Sequence, residues 1–182
     1  MRITTENRND RPTHLVWLDL EMTGLDTSTH RIVEVAVIIT GFDLKELATY
    51  RTAVYQPEDV LALSNEFSQA THTASGLYDE VRSSSKSEVD VEREVVEFIS
   101  SYIPVNPVIL AGNSIGADRR FIDVFWPTLN EILHYRMLDV SSFKIMRMGL
   151  GQEQYVKNNT HRALDDIRES IAELTMYSSI QN

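Results

Sequence analysis

The chain has 182 residues, 42% of them hydrophobic, which suffices for one well-packed domain and is short for two. It contains no cysteine, which excludes disulfides, thiolate metal sites and thiol nucleophiles, and no apolar run approaches the length of a membrane span. A formal net charge of -10 argues against broad binding of duplex nucleic acid, though not against a very short nucleic acid that offers few phosphates.

Residues 1–13 read as a polar, flexible tail ended by Arg11-Pro12, with no apolar leader, so the expectation is a cytoplasmic protein with one domain over 14–182. From His14 to Glu21 the residues are apolar or β-branched apart from two acids, as in a central strand covered on both faces. Strand alternation sends Asp19 and Glu21 to the same face, about 7 Å apart. Thr23-Gly24 breaks this strand. Arg31 to Gly41 reads as a second strand, Asp43 to Glu46 as a hairpin turn, and Leu47 to Tyr55 as a third strand, giving an antiparallel meander.

Pro57 opens a short helical piece from Glu58 to Leu63, and Thr71 to Leu77 reads as a loop entering a helix. Ser83 to Ser87 is a solvated linker, and Glu88 to Tyr102 an amphipathic helix with Val91, Val95, Phe98 and Ile99 inward, ended by Pro104 and Pro107. Val108 to Gly112 is a short buried strand, parallel to the first because a helix precedes it. A turn over Asn113–Gly116 leads to a helix through Phe125 that begins at Asp118. Pro127 starts another, to Leu133. Met137 to Val140 is a last short strand, and Ser141 caps a helix to about Met148. Gly149 to Asn159 is irregular, and a final helix runs from about Thr160 to Tyr177 on Leu164, Ile167, Ile171 and Leu174. Three antiparallel strands followed by alternating helices and strands give an α/β chain of the ribonuclease H-like fold, with a mixed central sheet of about five strands flanked by helices.

Asp19 and Glu21 on one buried face repel each other and lack solvation, and divalent cations such as Mg2+ or Mn2+ suit such hard oxygen donors. The simpler reading is a strand end whose acids reach solvent. Asp118, just past a parallel strand, stands where open α/β sheets hold their sites, but a helix-start Asp also serves as a cap. His161 and Asp166 lie at the start of the last helix, where an exposed first-turn residue and a solvated acid are the plainer readings. Together, four carboxylates (Asp19, Glu21, Asp118, Asp166) can hold two divalent ions roughly 4 Å apart, which activate a water and stabilise a leaving oxygen on phosphorus. A histidine can take the proton from that water near neutral pH. Spacing by itself leaves metal-dependent phosphodiester hydrolysis beside the plainer readings.

The order Asp-x-Glu, Asp, His-x-x-x-x-Asp (Asp19, Glu21, Asp118, His161, Asp166) resembles the DEDD exonuclease superfamily in its histidine-containing branch. The stretches around it are similar to the oligoribonuclease family over nearly the whole chain, from about His14 to Tyr177. They are Trp17 to Leu25, Thr71 to Leu77, Gly112 to Gly116, Asp118 to Phe121, His134-Tyr135-Arg136 with Leu138 to Ser141, and Asp165 to Ser170. The resemblance implies a homodimeric 3′-to-5′ exoribonuclease that degrades very short single-stranded RNAs, dinucleotides above all, to 5′-mononucleotides; the net charge and the lack of a membrane-length apolar run add the expectation of no duplex or membrane partner. It implies that Asp19, Glu21, Asp118 and Asp166 hold two metal ions and that His161 is the general base. It implies that Leu25 wedges beside the bases and that Phe67, where the family has tryptophan, stacks on a base. Ser114 and Ser141 are implied to meet the 5′ phosphate, with His134, Tyr135 and Arg136 reaching it from the partner subunit. The stretch Lys144 to Asn159 departs from the family, lacking its tryptophan-containing basic segment. Two alternatives stay open. One is a broader single-strand exonuclease of the same superfamily, which a basic track would favour. The other is a binding module that keeps the fold without the chemistry, against which all five catalytic residue types stand.

Overall fold

The structure, a computed structural model, describes residues 12–104, 108–156 and 162–178. Five strands make one mixed sheet: β1 (His14–Met22), β2 (Ile32–Gly41), β3 (Glu46–Ala53), β4 (Val108–Gly112) and β5 (Leu133–Asp139), in the order β3-β2-β1-β4-β5. The first three form the expected antiparallel meander, and β4 and β5 run parallel to β1. The helices are α1 (Glu58–Leu61), α2 (Glu66–Ala74), α3 (Leu77–Ser83), α4 (Glu88–Tyr102), α5 (Gly116–Phe125), α6 (Pro127–Ile132), α7 (Val140–Gly149) and α8 (Ala163–Ser178).

The period of two in β1 and β2 divides the core. Val16, Leu18 and Leu20, with Val35, Val37 and Ile39, pack with Val91, Val95 and Ile99 of α4 and with Phe121 and Ile122 of α5. Leu15 and Trp17, with Ala36 and Ile38, pack on Ile167, Ile171 and Leu174 of α8. Asp19 and Glu21 continue the Trp17 side of β1, so the alternation aims both acids toward α8. Helix α4 starts in a capping box between Ser87 and Asp90. Its buried Glu92 accepts the Thr128 and Leu129 N–H groups at 2.6 and 3.1 Å, closing the exposed start of α6. No helix among the described residues is long and apolar enough to cross a membrane.

Several boundaries differ from the sequence reading. Thr71 to Ala74 belong to helix α2, whose N-cap is Asn65, and the break falls at Ser75-Gly76, where Gly76 takes the left-handed backbone (φ 75°) that a glycine adopts without strain. Strand β5 begins at Leu133, so His134, Tyr135 and Arg136 lie inside it rather than before it. Helix α7 is capped by Asp139, whose side chain accepts the Ser141 N–H, and not by Ser141. Residues 1–11, Pro107, His161 and the stretch 157–160 lie outside the described residues.

Candidate active site

Strands β1 and β4 pair only over Leu15–Trp17 and Ile109–Ala111. Past Trp17 the two separate, and the Leu20 N–H, which points to that gap, donates to Asp118 Oδ1 at 2.9 Å. Asp118 is buried and docks on β1 between Asp19 and Glu21; helix α5 has no side-chain cap. The sequence alternative of a capping aspartate is thereby replaced by a carboxylate held at the strand end. Asp19, Glu21 and Asp166 each offer an oxygen within 4.8 Å of one another. Burial, with Glu34, Asp166 and Asp118 close by, pushes the Glu21 carboxyl up to about 8, although Arg162 draws it down. Burial also pushes Asp118 up, against the Leu20 N–H that favours its charged form. Crowded carboxylates that resist ionisation, with hard oxygen donors converging, fit a divalent cation. His161, the expected base, lies outside the described residues; its chain neighbour Arg162 is described.

Behind these acids is a second set that the sequence reading passed over. Glu34, opposite Glu21 in the β1–β2 register, is buried, and its side chain is ion-paired with Arg51 and lies 3.5 Å from Arg162. Glu80 of α3 holds both guanidinium groups, at 2.6 Å from Arg51 and 2.8 Å from Arg162. Arg162 also donates to the Ser75 carbonyl at 3.4 Å, and its own carbonyl accepts the Asp166 N–H at 3.0 Å, so the entry to α8 is tied to β2, α3 and the α2–α3 turn. A lone glutamate inside the apolar run Ile32 to Ile39 was the available signal, since a buried acid requires a partner. His72 stands 3.8 Å from Glu21 and 3.0 Å from the Met22 carbonyl, buried on α2.

At the rim, the loop after β1 is closed tightly. The Asp26 N–H donates to His30 Nδ1 at 3.0 Å, and a Cβ at Gly24 would meet the His30 ring at 2.4 Å, so a larger residue there would displace that ring. The Asn65 N–H donates to the Thr23 carbonyl at 2.9 Å, fastening the start of α2 to this loop. Leu25 and Phe67, 64% and 67% exposed, are thus two apolar side chains presented on linked segments.

Ser114 follows β4 and Ser141 follows β5, at the same end of the parallel strands as the acids. Their hydroxyl oxygens are 3.0 Å apart, and the Ser114 N–H donates to Ser141 Oγ at 2.8 Å and Asp139 Oδ1 at 3.0 Å. His134, Tyr135 and Arg136 do not join this group within the chain. They begin β5, three to five residues before Asp139, roughly 10–16 Å back along the strand. There His134 stacks on Tyr135 with ring centroids 4.5 Å apart, and Arg136 covers the other ring at 4.7 Å.

The exonuclease family model of the RNase T type matches residues 16–174. An oligoribonuclease of Francisella tularensis subsp. tularensis (strain WY96-3418) is 47% identical over 166 residues, 90% of this chain and 93% of its own. An oligoribonuclease of Vibrio parahaemolyticus is 48% identical over 168 residues, with the same coverage of 90% and 93%. Among solved structures, exonuclease I from Methylocaldum szegediense matches with a TM-score of 0.73 at 18% identity, covering 93% of this chain and 41% of that one. Exonuclease I of E. coli in complex with an oligonucleotide matches with a TM-score of 0.70 at 12% identity, covering 93% and 41%. The chain thus spans about two fifths of those longer exonucleases and shares their fold. With nearly half its residues identical to relatives matched over almost their full length, and with the family's acids drawn together at the end of β1, the chain belongs to the oligoribonuclease family of exonucleases.

Proposed function

We propose that the protein is a single exonuclease domain over 14–182 that hydrolyses very short oligoribonucleotides, dinucleotides above all, from the 3′ end to 5′-mononucleotides in the cytoplasm. One observation carries this reading: the carboxylates of β1 and α8 lie at the same end of the sheet as the bonded serine pair of β4 and β5. Neighbouring strands are about 4.8 Å apart, so the two groups are separated by roughly one or two strand spacings, room for about one nucleoside. A substrate with its reacting phosphate on the acids and its 5′ phosphate on Ser114 and Ser141 has little length to spare.

Asp19, Glu21, Asp118 and Asp166 would hold two divalent ions, Mg2+ or Mn2+, which when bound supply an activated water and stabilise charge on the phosphoryl oxygens. His161 accepts the proton of the attacking water on a ring nitrogen. Leu25 wedges beside the bases, and Phe67 stacks on one of them with a smaller face than tryptophan offers. A second copy of the chain brings His134, Tyr135 and Arg136 to the serine pair. Supporting that assembly, β5 is a sheet edge with Tyr135 72% exposed, and α7 beside it exposes Phe143, Ile145, Met146 and Met148.

The test is turnover of a 5′-phosphorylated dinucleotide beside a ten-residue RNA, with Mg2+ present. The dinucleotide is expected to react faster by tenfold or more; equal rates would favour a broader exonuclease.

A further inference from the structure

Asn113 stands between the two ends of the site and uses every polar group of its side chain. Nδ2 donates to Glu173 Oε2 at 2.6 Å and to Ser170 Oγ at 3.2 Å, and Oδ1 accepts the Ser141 hydroxyl at 3.0 Å. Glu173 is fully buried on α8, and its other oxygen accepts the Tyr177 hydroxyl at 2.7 Å. Both carboxylate oxygens therefore receive a donor, and the amide nitrogen of Asn113 has to face that helix. This orientation passes to the next residue. With Oδ1 as its acceptor, the single Ser141 proton points at Asn113, and Ser141 Oγ turns its lone pairs to the Ser114 N–H and hydroxyl.

Ser114 needs such support, because its φ of 51° lies in the left-handed region that residues with a Cβ rarely adopt. On the other side, the Ser170 hydroxyl that receives the Asn113 amide donates to the Asp166 carbonyl at 2.8 Å. One side chain thus touches a member of the serine pair and the helical turn that carries an acid.

We infer that Asn113 is a positioning residue that fixes the Ser114–Ser141 pair against the carboxylates of α8, and thereby sets how strongly a terminal phosphate on a short substrate is recognised. It acts through the two serines and not by touching substrate. The inference rests on the role proposed above for that pair.

The experiment compares kcat/KM for a dinucleotide with and without a 5′ phosphate, in Mg2+, for the wild-type protein and three variants. In Asn113→Ala the preference for the phosphorylated form is expected to fall about tenfold, mostly through KM, the worth of a lost hydrogen bond in the support. Asn113→Asp should fall further, because it sets a carboxylate against that of Glu173. The double variant Asn113→Asp, Glu173→Gln should recover most of the preference, since the glutamine amide can donate to the introduced carboxylate. A merely structural defect depresses both substrates together and leaves their ratio intact; that result in Asn113→Ala, or a double variant no better than Asn113→Asp, overturns the inference. If Asn113→Asp does not fold, the ratio in Asn113→Ala decides alone. A wild-type protein indifferent to the 5′ phosphate would instead sink the role of the serine pair, and the inference with it.

Discussion

At the end of β1, three carboxylates lie within 4.8 Å of one another, a fourth is buried beside them, and burial holds Glu21 up to about 8. At the ends of β4 and β5, by contrast, Ser114, Ser141, Asn113 and Asp139 answer one another donor for acceptor. The first group crowds like charges, and on the reading proposed above cations complete it. The second is bonded within the chain itself, and on the same reading it receives a terminal phosphate with its geometry already set. The lesson is that the two ends should respond to change with opposite signs: trimming the acid end harms turnover but relieves the bare fold, while trimming the serine end harms recognition and fold together.

The largest effect lies at the acid end. Asp19→Ala or Asp166→Ala is expected to bring Mg2+-dependent turnover of a dinucleotide to background while the circular dichroism spectrum stays that of the wild type. Retained turnover would remove the distinction between the two ends. Next comes His161→Ala, with a loss of about 10²–10⁴-fold in kcat and a smaller change in KM, the usual worth of a positioned base. A variant with unaltered kcat would remove His161 from the catalytic set.

The serine end is sharpened by Arg136→Ala, expected to reduce the preference for a 5′-phosphorylated dinucleotide about tenfold by removing a charge-assisted contact. If that contact comes from a second copy, mixing this variant with His161→Ala restores activity. After exchange at equal amounts, half the dimers are mixed and each holds one intact site, about a quarter of all sites. Activity that stays at the level of the separate variants, with exchange demonstrated, would keep Arg136 within its own chain.

The smallest effect is on stability. The folded pKa of Glu21 is raised from the ordinary 4.5 to about 8, so between these values the folded protein keeps a proton that the unfolded chain has lost. The contribution of this carboxyl to the stability of the metal-free protein is therefore fully present below about pH 4.5 and is lost as pH rises through this window, by at most about 1.4 kcal/mol per pH unit. Urea unfolding at pH 5.5 and 7.5 in chelator should show the drop, and Glu21→Gln should flatten it and raise the midpoint at pH 7.5. A midpoint lowered by Glu21→Gln would contradict the crowding of like charges.

Elements whose own residues decide their form were legible in the chain. The β-branched run of β2 and the amphipathic helix α4 read directly, because a β-branched run and a helical apolar stripe are local signals, whereas the Ser87–Asp90 capping box that starts α4 emerged only in the structure. The site acids were also legible as residue types, since the strand period aims Asp19 and Glu21 to one side. What was not legible depends on distant partners. Thr71 to Ala74 read as loop because threonine and histidine are weak helix formers, yet the helix is held by His72 packing beneath the Met22 carbonyl. The early start of β5 comes from pairing with β4, which no local pattern announces. Asn113 looked like a turn residue, and its partners on α8 lie 57 and 60 residues away in sequence.

The central claim, that the acid end is completed by cations, is tested most directly by titrating Mn2+ into the protein at pH 7 by calorimetry, in buffers of different ionisation enthalpy. Two saturable sites per chain are expected, with proton release on binding because burial keeps protons on the bare Glu21 and Asp118, and with both signals lost in Asp19→Ala. Absence of saturable binding, or binding unchanged by Asp19→Ala, would contradict it.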